Sequence, residues 1–145
     1  SKDKSVALIS LQTQRVIFRR RRLHLRTVYG LVFTPDDKFL VTCSMDRSLV
    51  VVDLYKRIVV YRIINLHKGF INAIVITPDG KNVITGADDK TIKVFNIKEK
   101  AVTHTLKTPE SIKTLGVSKD LKSIAYGSHE GSIKILQLEQ SLVVQ

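Results

Sequence analysis

One cysteine in the whole chain, Cys43, leaves no intramolecular disulfide framework and no multi-cysteine zinc site to consider. That usage suits a reducing compartment, so the expected location is the cytosol, with the nucleus as the second choice. No apolar run approaches the ~18 residues of a membrane span, and no charged-then-apolar stretch at the start reads as a signal peptide. Phosphate-cradling glycine loops, an activated serine and a metal-ligand triad are missing as well. The expectation is therefore a protein that is not an enzyme and carries no catalytic residue, cofactor or metal. What remains is 43% hydrophobic over 145 residues, enough apolar content to bury a core.

Acidic residues are also scarce, and unevenly so. The net charge is +11, yet residues 1–26 carry eight Lys/Arg against one Asp while the other 119 carry sixteen against twelve. Most of the excess sits at one end, in and around "FRRRRLHLR" from Phe18 to Arg26. A local excess of this kind favours an acidic docking partner over a uniform nucleic-acid coat.

Self-similarity organises the rest. The stretch from His24, "HLRTVYGLVFTPDDKFLVTCSMDRSLVVVDL", aligns without a gap on "HKGFINAIVITPDGKNVITGADDKTIKVFNI" from His67, an offset of 43. A third copy follows from Val117 at an offset of 41, and "DKSVALISLQTQRVIFRR" is the back half of another copy, with Asp3 on Asp46. The boundaries read as 1–22 for that half, 23–64 and 65–107 for two complete units, and 108–145 for most of one more. Each unit reads as four short strands, a to d, with turn signals between them; Pro78 sits in one such turn, where its fixed φ helps and its missing N–H costs no ladder bond. Four strands in ~40–45 residues is the blade period of a β-propeller.

At these residues the sequence resembles the WD-repeat family. "TPDGKNVITGADDKTIKVFN" follows the family's "S-P-D-G-K" turn and "S-G-S-x-D-x-T-I-K-V-W-D" segment nearly residue for residue, and "TPDDKFLVTCSMDRSLVVVD" follows it less closely. The resemblance implies an all-β fold, a WD-repeat-type propeller fragment of about three and a half four-stranded antiparallel blades. It also implies a blade-bracing hydrogen-bond set, at His24, Thr42, Asp46 in one unit and His67, Thr85, Asp89 in the next. The family's fourth member is a Trp; here Val52 and Phe95 stand in its place, and without an indole N–H only a shorter network is expected. In the last unit the matching residues are Thr108, Tyr126, Glu130 and Leu136, and the network is expected to be lost.

Antiparallel order assigns the loops to faces. The a–b turns ("TPDDK", "TPDGK", "SKDLK") share one end of the blades with the c–d turns, and the b–c turns share the other with the d–a connections. The arginine run is a d–a connection, so it lies with Asp46, Asp89 and both histidines on the face that resembles the family's partner-binding surface. Arg20, Arg21 and Arg22 stand where the next unit has Ile63, Ile64 and Asn65, so the basic run belongs to one blade only. With Arg26, Arg47, Tyr29, Met45, Phe70, Asn72, Asp88 and His129 they form the candidate contact set. Two histidines recurring with an Asp 22 residues later are read as bracing, and Cys43, aligned with Gly86 and Gly127, as a small core residue.

The function implied is a non-catalytic protein–protein interaction scaffold, part of a larger propeller completed by further blades in the same chain or by self-association. Its partners would be proteins with an acidic contact surface, because guanidinium forks bind carboxylates bidentately. The alternative is a membrane-surface module reading anionic phosphoinositide head groups through Arg19–Arg22. "IFRR" is similar to the Phe-Arg-Arg-Gly lipid motif of the PROPPIN propellers, although Arg21 replaces that glycine. Nucleic acid is disfavoured: Phe18 and Tyr29 flank the run, but there is no basic track or RNA-binding signature.

Overall fold

The computed structural model describes residues 1–138, so residues 139–145 of the span read as a final partial blade lie outside the described residues. Thirteen strands make four antiparallel sheets, and no helix occurs among the described residues. The first sheet pairs β1 (Val6–Ile9) with β2 (Val16–Arg20). The second contains β3 (Val28–Phe33), β4 (Phe39–Ser44), β5 (Leu49–Asp53) and β6 (Ile58–Ile63) in chain order. The third repeats that order with β7 (Ile71–Ile76), β8 (Asn82–Ala87), β9 (Thr91–Asn96) and β10 (Ala101–Lys107). The fourth has β11 (Ile112–Val117), β12 (Ser123–Ser128) and β13 (Ile133–Gln137).

Strand composition follows position in the sheet. The middle strands β4 and β5 are buried on both sides, so they read as continuous apolar runs such as "LVVV". The outer strand β6 alternates between exposed and half-buried residues, since only one of its faces meets a neighbouring sheet. Three apolar clusters lie between successive sheets. Val6, Leu23, Val28 and Val50 join the first to the second, Val41, Leu49, Ile71 and Phe95 the second to the third, and Ile84, Ile92, Ile112 and Tyr126 the third to the fourth. The approach is close: a Cβ on Gly86 would stand 2.4 Å from Ile112 Cγ2.

The period found in the sequence reappears in the backbone. Left-handed residues fall at Lys4, Arg47 and Lys90 in the b–c turns, at Gln14, Arg57 and Lys100 in the c–d turns, and at Asp37 and Gly80 in the a–b turns. Each series steps by 43. The a–b turns close alike as well: the Thr34 hydroxyl donates to Asp36 at 2.6 Å and Thr77 donates to Asp79 at 2.5 Å, while each carboxylate accepts the N–H two residues on. These are turns that need a short polar side chain at a fixed offset.

One loop boundary differs from the sequence reading. Arg20 is the last residue of β2, paired with Val6, and is not a loop residue. Arg22 takes φ 53° and Asn65 takes φ 54°, so the two d–a connections share a left-handed step although their sequences differ.

Candidate partner-binding face

The face carrying the d–a and b–c connections is held by the two histidines. His24, 1% exposed, follows the buried Leu23. Its Nδ1 lies 3.2 Å from Asp46 and 2.9 Å from Ser48 Oγ, and its Nε2 lies 2.9 Å from Thr42 Oγ1. Asp46 also accepts the Ser48 hydroxyl at 2.5 Å, the Ser48 N–H at 2.9 Å and the Leu25 N–H at 2.7 Å. His67 repeats this with Asp89 at 3.1 Å, Thr91 at 3.0 Å and Thr85 at 2.8 Å, and Asp89 accepts the Lys68 N–H at 2.7 Å.

Burial pushes both imidazoles below their ordinary value, against the pull of the facing carboxylates, and the Arg62 and Lys93 charges add to the lowering. Burial works the other way on Asp46 and Asp89, but the hydrogen bonds they accept outweigh it and hold both below the usual carboxylate range. A neutral imidazole donating from Nδ1 and accepting at Nε2 fits these partners. Both ring nitrogens are thus occupied, and the arrangement fastens a d–a loop to the b–c turn of the following sheet.

Ser48 and Thr91 belong to this network and were not among the residues expected from sequence; the signal was the Asp-x-Ser/Thr spacing. In the fourth sheet, Thr108 Oγ1 donates to the Glu110 carbonyl at 2.9 Å. Glu110 supplies a carboxylate instead, accepting Ser132 Oγ at 2.7 Å and Lys134 Nζ at 2.6 Å. Those bonds bring its carboxyl down to about 2. The acid now comes from the d–a loop and its donors from the blade, the reverse of the histidine arrangement.

Three β-bulges shape the inner part of the face. The a–b ladders skip a residue between Val28 and Gly30, between Ile71 and Ala73, and between Ile112 and Thr114. The extra residues are Tyr29, Asn72 and Lys113, and a bulge re-aims its side chain out of the ladder. Tyr29 is 54% exposed. Asn72 donates to Asp88 at 2.7 Å and to the Ile112 carbonyl at 2.9 Å, and Lys113 Nζ reaches Asp88 at 2.7 Å. Lys113 was not singled out in the sequence. Asn72 and Asp88 are thus tied to each other and to the next sheet, while Tyr29 stays open.

Arg26 lies over the Phe70 ring, 5.9 Å from its centroid, bridging two of the candidate residues from successive d–a connections. Met45 is half-buried and its N–H donates to the Thr27 carbonyl; Arg47 and His129 are exposed. Arg20, Arg21 and Arg22 are exposed and form no ion pair among the described residues. Phe18 is half-buried against the Val6–Leu23–Val28 cluster. Cys43 is wholly buried, which drives its thiol up to about 12.

The family described as WD domain, G-beta repeat matches residues 18–53 and 59–96, together just over half of the chain. Comparison with curated protein sequences finds no match. Among solved structures, the crystal structure of the WD40 beta propeller domain of Doa1 is similar with a TM-score of 0.84 at 23% identity. That likeness covers 97% of this chain and 46% of the Doa1 domain, so the chain spans less than half the length of the structure it resembles, and the likeness concerns the fold. With repeat matches over both four-stranded sheets and a propeller fold across all of them, the chain belongs to the WD-repeat family.

Proposed function

We propose that the chain forms part of a non-catalytic protein-interaction scaffold that receives a protein partner on the face carrying the arginine connection. WD-repeat propellers generally serve as scaffolds that bind other proteins. The observation that carries the reading to this face is the bulge set: three successive sheets project Tyr29, Asn72 and Lys113 from the same ladder position. The exposed Tyr29, and Phe70 with Arg26 over its ring, give this face the composition of an interface centre, where Tyr and Arg are enriched. The unpaired Arg20–Arg22 favour an acidic contact surface on that partner, and the reading belongs to the cytosol or nucleus.

The test is site-specific photocrosslinking in cells. A crosslinker at Tyr29 should capture a defined partner and one at Tyr55, on the opposite face, should not. Phe70→Ala should weaken capture, and replacing Arg20–Arg22 by Ala should slow association in low salt. Capture that is equal from both faces overturns the reading. If the triple Ala variant instead loses binding to phosphoinositide vesicles while crosslinking at Tyr29 is unchanged, the arginine run is a lipid contact and not a partner contact.

A further inference from the structure

The repeat supplies its own control for a second basic feature. At the outer rim of the third sheet, Lys68, Lys90, Lys93 and Lys107 line a depression of about 460 Å³ together with Thr105 and Asp89. None of the four lysines forms an ion pair among the described residues. Asp89 is already engaged by His67, Thr91 and the Lys68 N–H. Lys93 faces Thr105 on one side and Thr85 on the other across the sheet, and Lys107 faces Thr91, so these side chains share one side of the blade with the His67 network.

The second sheet shows what this place looks like without such a site. Forty-three residues earlier, Lys68, Lys93 and Lys107 become Leu25, Val50 and Ile64, and Thr105 becomes Arg62. Arg62 donates to the Leu23 carbonyl and reaches Ser48 Oγ at 3.5 Å, and its cross-strand neighbour Val50 is fully buried. There the rim is closed by a guanidinium over an apolar residue. In the third sheet Thr105 is too short to close it, and Lys93 meets an open depression. Lys134 holds the matching ladder position of the fourth sheet, where Glu110 pairs with it at 2.6 Å, whereas Lys93 has no such partner among the described residues. The third sheet does not need its lysines for bracing, since it and the second sheet keep the same histidine network.

We propose that this rim of the third sheet is a binding site for a compact polyanion carrying two or more phosphate groups. Four ammonium groups against one committed carboxylate leave an excess of three positive charges, and one phosphate monoester carries only about −1.5 to −2 at neutral pH. Ammonium groups act as movable point charges on phosphate oxygens and do not demand the planar fork of a carboxylate. The Thr105 hydroxyl adds a neutral donor. The site lies apart from the arginine connection and does not depend on the partner reading.

Calorimetric titration of the full chain with pyrophosphate and with inositol trisphosphate tests it. Saturable binding is expected, weakening roughly tenfold in Lys93→Met and again in Lys107→Gln, with Lys119→Gln and Lys122→Gln on the opposite face unchanged. The decisive variant is Thr105→Arg. It raises the net charge but is expected to close the rim as Arg62 does, and to cut binding at least tenfold. If Thr105→Arg binds as tightly as the parent or tighter, the attraction is diffuse charge and the site is refuted. Absence of saturable binding to either probe also refutes it. Vesicles containing phosphatidylinositol bisphosphate separate the sources: vesicle binding that soluble inositol trisphosphate cannot displace contradicts a head-group site, and displacement by it supports a lipid source. Binding of the soluble probes with no retention on vesicles supports a free polyphosphate.

Discussion

Asp89 gathers the same set of hydrogen bonds as Asp46 does one repeat earlier, and replacing it by Ala is a sharp test of how the face is held. The substitution removes acceptors from the Thr91 N–H at 3.1 Å, the Thr91 hydroxyl at 2.6 Å, the Lys68 N–H at 2.7 Å and His67 Nδ1 at 3.1 Å. Lys68 is exposed and Thr91 half-buried, so once the carboxylate is truncated water reaches the two N–H groups and limits their cost to a few tenths of a kcal/mol each. His67 is different. It is 1% exposed, and its Nδ1–H keeps only a shared contact with Thr91 Oγ1, so most of a buried donor's penalty of about 1–3 kcal/mol applies. The sum is about 2–4 kcal/mol, concentrated on one loop and one turn. Amide hydrogen exchange reads it locally: the Lys68 and Thr91 amides should exchange roughly thirty- to several-hundredfold faster if they open with that region. Lys38→Ala, which breaks a pair whose side chains are 59% and 49% exposed, should change stability by under about 0.5 kcal/mol. Should Asp89→Ala leave both amides within about threefold of the parent, the network does not hold the loop and the account of the face fails.

Acid should act through the same residues. Both imidazoles are held below their ordinary value of 6.5 in the folded chain, so as pH falls through that value the unfolded chain takes up the protons first. Stability should be flat above it and fall below it by up to about 1.4 kcal/mol per pH unit for each histidine, a slope that urea titrations of His24→Gln and His67→Gln should halve. Arg22→Asn should raise stability by about 0.5–1 kcal/mol by relieving a left-handed non-glycine residue, and Asn65→Arg should lower it comparably in the same urea assay. Gly86→Val should cost about 1–3 kcal/mol in thermal unfolding, because its first added carbon already overlaps Ile112. Cys43 should resist a thiol reagent in native buffer and react within the dead time in urea, since its thiol is buried and pushed to about 12.

The order of strands, the faces and the histidine partners were legible because each rests on a local pattern recurring at a fixed offset. Thr34-x-Asp36 and Thr77-x-Asp79 are turns that a sequence can spell, and a His with an Asp 22 residues later twice over is hard to produce by chance. Bulges were not legible. Nothing in "VYG" or "INA" says that Tyr29 and Asn72 fall out of the ladder, because a bulge is set by how two strands settle against their neighbours. Glu110 escaped for another reason: its network keeps the chemistry of the histidine set but moves the carboxylate to the other partner, and position-by-position alignment sees only a lost histidine. Arg62 was invisible as well, because its partner is a backbone carbonyl 39 residues away.

Internal repeats invite the rule that agreement between copies is architecture and difference is function, and this chain shows where that rule holds. Arg22 against Asn65 is a difference, yet both residues make the same left-handed step, so the arginine there carries a backbone cost of its own that its neighbours Arg20 and Arg21 do not. Difference alone therefore cannot separate a functional residue from a poorly fitting one. Lys93 against Val50 meets a stricter condition. The two share a ladder position and an ordinary backbone, and the copy with valine is sealed by Arg62 while the copy with lysine is open. Lysine in place of the buried valine together with the loss of the closing arginine forms a coordinated substitution, since lysine at the Val50 position alone would place a charge against a closed rim, while the exposed Leu25 and Ile64 positions accept lysine freely. That coordination, more than the number of basic residues, separates the lysine rim from the arginine connection. It is also why Thr105→Arg, which undoes one member of the set while adding charge, decides between a built site and a merely cationic surface.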